Sequence, residues 1–296
     1  MKKLLIILFV LSFLTSCLRL DSNLFNPEEK ISSYQLDGYK GKRECPDLPE
    51  KFNVPDSLVH VFQVESDNSG DKARIWCIYL GDKSRISQDT VLLYCHGNKN
   101  HMDNYWNRAK LLANVNGKNR YGVLMMDYRG FGLSDGTPTE DNMYADVEAC
   151  IQWLKSNGIK DGNLMVYGYS LGSAPAIKLA AKINELPFSK LILEAPYGNA
   201  QTMVEDAAKL SLPSSYFTNV KVNNADEIKK VSVQFCWFHG ANDEFLSLPV
   251  HGQKVFDNYK GPYKEAHIVQ GAIHNNLPSV MGYEEYLSVL GKFIRR

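Results

Sequence analysis

Apolar runs and polar, helix-like stretches alternate along the chain from residue 59 onward. Near-continuous runs of β-branched and aromatic residues are typical of strands that are buried on both faces of a parallel sheet. Strands that alternate with amphipathic helices predict an α/β fold, with helices on both faces of the sheet. The predicted strands are VHVFQV, RIWCIYL, TVLLYCHG, YGVLMMDYRG, NLMVYGYS, KLILEAP, VSVQFCWFHG and EAHIVQG, and the predicted helices lie near 101–115, 140–157, 171–184, 247–259 and 281–294.

The first two strands differ from the rest, because a turn-like segment from Ser66 through Gly70 to Asp71 joins them and favours an antiparallel hairpin. We therefore expect a mostly parallel eight-stranded sheet that occupies residues 58–296. Residues 18–57 are polar and contain several prolines, so they are predicted to be a tether and an irregular lead-in, not a domain.

The N-terminus has the pattern of an export signal. Two lysines precede the apolar residues 4–14, a stretch too short to span a bilayer comfortably, and Thr15-Ser16-Cys17 follow. Residues 14–17 resemble a bacterial lipobox, in which Cys17 is lipidated and becomes the first mature residue. We expect residues 1–17 to be a lipoprotein signal, and the mature chain to be held by lipid at a membrane of the bacterial cell envelope, outside the cytoplasm. A plain cleaved signal peptide or a short anchor is the alternative.

The composition of the chain argues against nucleic-acid binding and against a cysteine metal or redox site. The 296 residues are 44% hydrophobic with 33 basic and 33 acidic side chains, an ordinary balance for one sizeable core and no sign of a nucleic-acid partner. Five cysteines follow Cys17, with no C-x-x-C spacing that would indicate a metal or redox site. We interpret them as buried free thiols, although the export signal makes a disulfide an alternative. They are Cys45, Cys77, Cys95, Cys150 and Cys236.

The pattern Gly-x-Ser-x-Gly occurs twice, around Ser134 and around Ser170. It forms a nucleophile elbow only where a strand enters the turn and a helix leaves it. Ser134 lies in a loop after its strand has ended, with Thr139 as the predicted cap of the next helix. Ser170 lies between the strand-like NLMVYGY and the helix-like LGSAPAIKLAAKI, so it is the predicted nucleophile.

A serine nucleophile needs a base, and the base needs an acid that orients it. Asp243 and His274 each follow a predicted strand, at the sheet edge where catalytic groups of parallel sheets gather. Glu194 is a less favoured acid, Glu244 is interpreted as a solvated charge, and His96 as a structural residue.

Two backbone N–H groups are predicted to bind the oxyanion of an acyl-transfer intermediate. One belongs to Leu171, the residue after the nucleophile. The other lies in the loop His96-Gly97-Asn98, with Asn98 as the preferred donor and Lys99 as the fallback.

Five motifs in this order resemble the α/β-hydrolase superfamily over residues 58–294: HGN at 96–98, DYRGFG at 127–132, GYSLG at 168–172, His239-Gly240 with Asp243, and His274. The HGN and DYRGFG motifs resemble a cap-poor branch of serine hydrolases that includes protein depalmitoylases, which cleave palmitate thioesters. The resemblance implies catalysis without a cofactor or metal. It also accounts for Ser134, which falls in the family's arginine–glycine loop. The export signal is a departure, because it excludes cytosolic proteins as substrates.

The interval between Tyr197 and Val231 is short, which predicts one or two helices at about 198–230 and not a full cap. Its apolar residues either line an acyl slot or pack on the core. The resulting prediction is a serine hydrolase that cleaves carboxylic esters or thioesters of a small or acylated substrate through an acyl-enzyme. A serine peptidase of the same fold and a non-enzymatic envelope lipoprotein are the alternatives.

Overall fold

A computed structural model describes residues 25, 27, 30–182, 188–203 and 220–296. Its centre is one eight-stranded sheet in the order β1-β2-β4-β3-β5-β6-β7-β8. The β1–β2 and β2–β4 pairs are antiparallel and the other pairs are parallel. The strands are β1 (Val59–Asn68), β2 (Asp71–Leu80), β3 (Val91–Cys95), β4 (Gly122–Met126), β5 (Leu164–Tyr169), β6 (Phe188–Glu194), β7 (Gln234–Gly240) and β8 (Lys264–Val269). The predicted fold class is therefore confirmed.

Helices cover both faces of this sheet and divide the core into two layers. One layer contains the apolar side chains of α2, α3 and α5, and the other contains those of α1 and α7. No helix in the described residues is long and apolar enough to cross a membrane. The helices are α1 (Met102–Ala113), α2 (Glu140–Ser156), α3 (Ser173–Ala180), α4 (Asn224–Glu227), α5 (Gly252–Asn258), α6 (Leu277–Met281) and α7 (Tyr283–Arg295).

The central strands β3, β4 and β5 are buried at every position, as their continuous apolar sequences predict. The β1–β2 hairpin is also present, and Ser69 and Gly70 form its turn with positive φ values of 55° and 96°. All five cysteines after Cys17 are buried and free, although the sulfur atoms of Cys77 and Cys150 lie 3.5 Å apart.

The lead-in is irregular, as predicted, but from residue 30 onward it packs firmly on the domain. Every residue of α1 is buried, because the lead-in covers its outer face. Asp103 of α1 accepts hydrogen bonds from the backbone N–H groups of Gln35 and Leu36, at 3.0 and 2.6 Å. Asn107 and Asn114 donate to carbonyl groups further along the lead-in, at 3.0 and 2.9 Å. This segment is therefore part of the folded domain.

Two of the predictions fall outside the described residues. They are the lipoprotein signal at 1–17 with Cys17, and residues 204–219 of the cap segment predicted at about 198–230.

Candidate active site

Ser170 lies at a sharp turn between β5 and α3. Its φ is +49°, a left-handed conformation that costs energy for a residue with a Cβ and that is found at functional turns. A side chain at Gly168 would come within 2.6 Å of the carbonyl oxygen of Gly172. A side chain at Gly172 would overlap the carbonyl oxygens of Cys95 and His96. Both glycines are thus required by close backbone approach, and the turn has the geometry predicted for an elbow.

The structure brings together the three residues that the sequence predicted to form a triad. The Nε2 atom of His274 lies 2.9 Å from Oγ of Ser170. The Nδ1 atom of the same ring lies 2.7 Å from Oδ2 of Asp243. Ser170 follows β5, Asp243 follows β7 and His274 follows β8, so the carboxyl ends of three parallel strands supply them.

Asp243 is held as a carboxylate on the far side of the imidazole. Its Oδ1 accepts hydrogen bonds from the backbone N–H groups of Phe245 and Leu246, at 3.0 and 2.8 Å. Burial raises the pKa of Asp243, but the hydrogen bond and charge of His274 and the Leu246 N–H outweigh it, so the net pKa lies below its ordinary value. An ionised Asp243 keeps Nδ1 of His274 protonated and leaves Nε2 able to accept a proton from Ser170.

His239 supports Asp243 from the core. Its Nδ1 accepts a hydrogen bond from the indole N–H of Trp237 at 3.2 Å, which puts the ring proton on Nε2. That atom lies 2.9 Å from the carbonyl oxygen of Leu246 and 3.4 Å from Oδ2 of Asp243. Burial lowers the pKa of His239, so a neutral ring packs beside the acid. From the sequence, His239 was named only as part of the His239-Gly240 motif, with no role of its own.

The loop after β3, where the second oxyanion donor was predicted, borders Ser170. Close contact between Gly172 and the backbone of residues 95–96 brings this loop to the elbow. Asn98 lines the same pocket as Ser170. The backbone N–H of Lys99 donates to the hydroxyl of Tyr105 at 3.3 Å, so Asn98 remains the preferred donor. Leu171 follows Ser170 directly, in the short turn that leads into α3.

Ser134 has a different environment. Its hydroxyl donates to the carbonyl oxygen of Asp127 at 2.6 Å and accepts from the backbone N–H of Trp76 at 2.9 Å. These contacts join the end of β4 to β2, and Ser134 does not line the pocket. This serine therefore fastens a loop, in agreement with the interpretation of its motif as non-catalytic.

Neither His96 nor Glu244 contacts the triad. The His96 side chain is fully buried, with Nε2 3.1 Å from Oδ1 of Asp127 and Nδ1 2.8 Å from the carbonyl oxygen of Gly97. Asp127 also accepts a hydrogen bond from Tyr34 of the lead-in at 2.7 Å. Glu244 lies exposed on its loop.

Glu194, the less favoured acid, belongs to a separate buried cluster. Its Oε2 lies 2.6 Å from Nη1 of Arg108, and Nη2 of the same guanidinium lies 2.9 Å from Oε2 of Glu44. Arg108 also lies 5.2 Å from the ring centre of Tyr169, the residue before Ser170. The Tyr169 hydroxyl in turn donates to the carbonyl oxygen of His274 at 3.2 Å. Sequence reasoning missed this cluster, because nothing local pairs a lead-in residue with a helix 64 positions away.

Comparison with known proteins agrees with this geometry. A family profile described as serine aminopeptidase, S33 (Hydrolase_4) matches residues 87–234, which is half of the chain. The chain belongs to this family of α/β hydrolases. It is 29% identical over 225 residues to the human alpha/beta hydrolase domain-containing protein 17B, a match that covers 75% of this chain and 71% of that protein.

Solved structures of this hydrolase fold are also similar. The esterase Pf2001 of Pyrococcus furiosus superposes with a TM-score of 0.63 at 21% identity, covering 82% of this chain and 95% of that one. The esterase EaEST of Exiguobacterium antarcticum gives a TM-score of 0.59 at 16% identity, covering 80% and 100%. At these identities the likeness establishes a shared fold.

The hydrolase pocket above Ser170 and His274 has a volume of about 540 Å³. One wall comes from the lead-in, including Glu44 and Cys45, and another comes from the loop after β3. Phe245 lies over the imidazole of His274, with ring centres 5.0 Å apart. The lead-in, predicted as a tether, therefore shapes the site.

A possible metal-binding group lies elsewhere. Within residues 30–182, 188–203 and 220–296, the one set of His, Cys, Asp and Glu side chains spaced to share an ion is Cys236, Glu265 and His267. Their ligand atoms lie within 4.8 Å of one another on β7 and β8. None of the three lines the pocket, and His267 and Glu265 already pair at 3.0 Å. This group therefore has no place in the chemistry at Ser170.

Proposed function

We propose that this hydrolase cleaves carboxylic ester or thioester bonds through an acyl-enzyme on Ser170. The observation that carries the proposal is the position of His274, whose two ring nitrogens lie 2.9 Å from Ser170 Oγ and 2.7 Å from Asp243 Oδ2. One imidazole in contact with both a hydroxyl and a buried carboxylate is the arrangement that turns a serine into a nucleophile.

The reaction follows from these contacts. His274 Nε2 takes the hydroxyl proton as Ser170 Oγ attacks the acyl carbon, and Asp243 stabilises the imidazolium that forms. The backbone N–H groups of Leu171 and Asn98 bind the oxyanion. The imidazolium then protonates the departing oxygen or sulfur. A water molecule, deprotonated by the same ring, releases the acid and restores Ser170.

A serine peptidase is the second candidate, because the matching family is described as an aminopeptidase. Recognition of a peptide's α-ammonium group would require a carboxylate directed into the pocket. In the described part of the chain, Glu44 is the one acidic residue that lines the pocket, and its carboxylate is paired with Arg108. This pairing favours the ester and thioester reaction.

Steady-state and burst kinetics test the proposal. p-Nitrophenyl esters and S-acyl thioesters of increasing chain length are offered to the protein, with amino-acid p-nitroanilides as the peptidase arm. We expect ester turnover with an initial burst of p-nitrophenol that approaches one equivalent per enzyme when deacylation is slow. Faster cleavage of the anilides would support the peptidase. Absence of turnover with every substrate would support a non-enzymatic envelope lipoprotein.

We also propose that the chain is a lipoprotein of the bacterial envelope, anchored through Cys17. Support comes from the sequence alone, in which Leu14-Thr15-Ser16-Cys17 follows a short apolar stretch. Cys17→Ala should abolish the incorporation of a labelled fatty acid into the chain. Incorporation that survives Cys17→Ala would contradict lipidation at this residue.

A further inference from the structure

Large exposed apolar side chains are concentrated near the β7–β8 edge of the sheet. In the described part of the chain, five of the six large apolar side chains that are exposed lie beyond residue 240, and the sixth is Val61 on β1 at the opposite edge. Scattered single residues of this kind are normal on a protein surface, whereas a group around a functional opening indicates an interaction site. The five are Phe245, Val250, Ile268, Ile273 and Val280.

One of these residues lines the pocket, and two others directly adjoin lining residues along the chain. Phe245 is 51% exposed and lines the pocket. Ile273 is 47% exposed and immediately precedes His274. Val280 is 43% exposed and follows Ser279, another lining residue. These three side chains are called the apolar rim below.

The backbone that carries the apolar rim is fixed. The N–H of Phe245 donates to Asp243 at 3.0 Å, and the N–H of Ile273 donates to the side chain of Asn276 at 2.8 Å. The N–H of Val280 donates to the carbonyl oxygen of Asn276 at 3.0 Å. The rim is therefore presented to solvent by the same loops that hold the triad, and burying it on the core would disturb those loops.

Positive charge lies beside the apolar rim, although the chain as a whole is neutral. Lys42, Arg43 and Lys99 line the pocket, and both lysines are exposed. The acidic lining residue of the described part, Glu44, is paired inward with Arg108. Two exposed acidic residues adjoin lining residues along the chain: Glu244, before Phe245, and Asp47, after Pro46. Protruding apolar side chains with flanking lysines match the interface of an anionic bilayer. There the apolar side chains enter the acyl region of the lipid, and the lysine ammonium groups contact the lipid phosphates.

We infer that the mouth of the active site is a membrane-docking face, and that the apolar rim with Lys42 and Lys99 binds the surface of an anionic lipid bilayer. This contact is separate from the proposed lipid on Cys17 and goes beyond the proposed reaction, because it requires neither Ser170 nor turnover. The 13 residues that separate Cys17 from Lys30, where the packed lead-in begins, would reach at most about 47 Å when extended, so a tether alone does not fix orientation. Docking through the rim would turn the pocket toward the membrane.

An environment-sensitive fluorophore placed on each edge of the sheet tests the orientation. The full-length chain with Cys17→Ala receives either Ile273→Cys or Val61→Cys, and the five native cysteines of the described domain are buried, which favours labelling of the new thiol. Val61, 41% exposed, is the matched control. The probes are vesicles of phosphatidylcholine alone and of phosphatidylcholine with about 30% phosphatidylglycerol.

On the anionic vesicles, we expect the emission maximum of the label at residue 273 to shift to shorter wavelength. The emission maximum of the label at residue 61 should stay at its value in water. Equal shifts at both positions would overturn the inference, because they would indicate insertion without a preferred face. An unshifted label at 273 at saturating lipid would also overturn it. Equal binding to both vesicle types would contradict the anionic bilayer as the occupant.

A charge reversal tests the lysines separately. Lys42→Glu with Lys99→Glu should weaken binding to the anionic vesicles at least about tenfold, because each basic group near such a surface contributes on the order of 1 kcal/mol. Lys72→Glu with Lys83→Glu, at the β1–β2 side, is the control and should have little effect. Equal losses in the two pairs would contradict a specific face. Turnover of a soluble ester, measured in parallel without lipid, tests the proposed reaction independently.

Discussion

The two Gly-x-Ser-x-Gly segments share a sequence pattern but differ in nearly every physical respect. At Ser170 the chain passes from a buried strand into a helix, takes a positive φ and places the hydroxyl 2.9 Å from His274. At Ser134 the strand has ended, and the hydroxyl is used by two backbone groups, the carbonyl of Asp127 and the N–H of Trp76. The motif therefore becomes an elbow only where the sheet and the following helix confine it.

The glycines show the same difference. Gly172 cannot carry a side chain because the backbone of β3 occupies the space. Gly136 has a φ of +81°, but a Cβ there would meet its first neighbour, the Arg129 side chain, only at 3.4 Å. Crowding thus explains one glycine, and backbone conformation explains the other.

Replacing the two serines should give the largest contrast. Ser170→Ala should lower kcat/KM for ester hydrolysis on the order of 10⁴-fold or more, because no other hydroxyl in the described residues contacts His274 Nε2. Ser134→Ala should leave kcat/KM within about threefold, because its hydroxyl does not reach the pocket. Comparable losses in both variants would break the distinction between the two segments.

Asp243→Asn should produce the next largest effect. The amide would disturb the hydrogen bond to Nδ1 of His274 and favour the wrong ring tautomer, so kcat should fall about 10³- to 10⁴-fold. Steady-state kinetics at neutral pH measure this loss, and Glu244→Gln is the adjacent control. A loss caused by Glu244→Gln alone would reassign the acid.

Replacing the last glycine of each motif by alanine should destabilise the protein to different extents at the two turns. Gly172→Ala should destabilise the fold by about 3 kcal/mol, because the neighbouring atoms are backbone carbonyls that cannot move away easily. Gly136→Ala should cost about 1–2 kcal/mol, the strain of a positive φ. Urea unfolding of both variants tests the order, and an equal or reversed order would contradict the crowding at Gly172.

Ser134→Ala should have a smaller but measurable effect on stability. It leaves the N–H of Trp76 and the carbonyl of Asp127 without this partner, at a cost of about 1–3 kcal/mol. The free energy of unfolding should therefore fall while activity remains. Unchanged stability would show that the hydroxyl does not fasten the loop.

The smallest expected effect is a pH dependence of the unfolding free energy, which comes from the ionisation of Asp243 beside His274. Because the pKa of Asp243 lies below its ordinary value of 3.8, its ionisation stabilises the folded protein above that pH. This contribution is lost as the pH falls through the lower folded-state pKa. The difference in unfolding free energy between the protein and Asp243→Asn should be constant near about pH 6 and shrink below about pH 4. A difference that grows on acidification would contradict the sign.

Local patterns predicted the strands and the grouping of Ser170, Asp243 and His274, because burial on both faces leaves continuous apolar runs and these three residues follow strand ends. The strand LLYC, for instance, is buried throughout β3. The pairing of Glu44 with Arg108 was not predictable in this way. Its two residues lie 64 positions apart, and only the packing of the lead-in on α1 brings them together.

The firm packing of the lead-in was not predictable for a related reason. Its prolines and polar residues indicate irregular structure, and the structure is irregular. Irregular backbone can still be firmly packed when side chains such as Asp103 and Asn107 satisfy its polar groups.

The most direct test of Ser170 as the nucleophile is to identify which serine reacts with a fluorophosphonate. The protein is labelled at neutral pH, digested, and the modified peptide is sequenced by mass spectrometry, with Ser170→Ala and Ser134→Ala treated in parallel. With Ser170 as the nucleophile, we expect one modified residue, Ser170, with labelling lost in Ser170→Ala and retained in Ser134→Ala. Modification of Ser134, or labelling that survives Ser170→Ala, would contradict this role of Ser170.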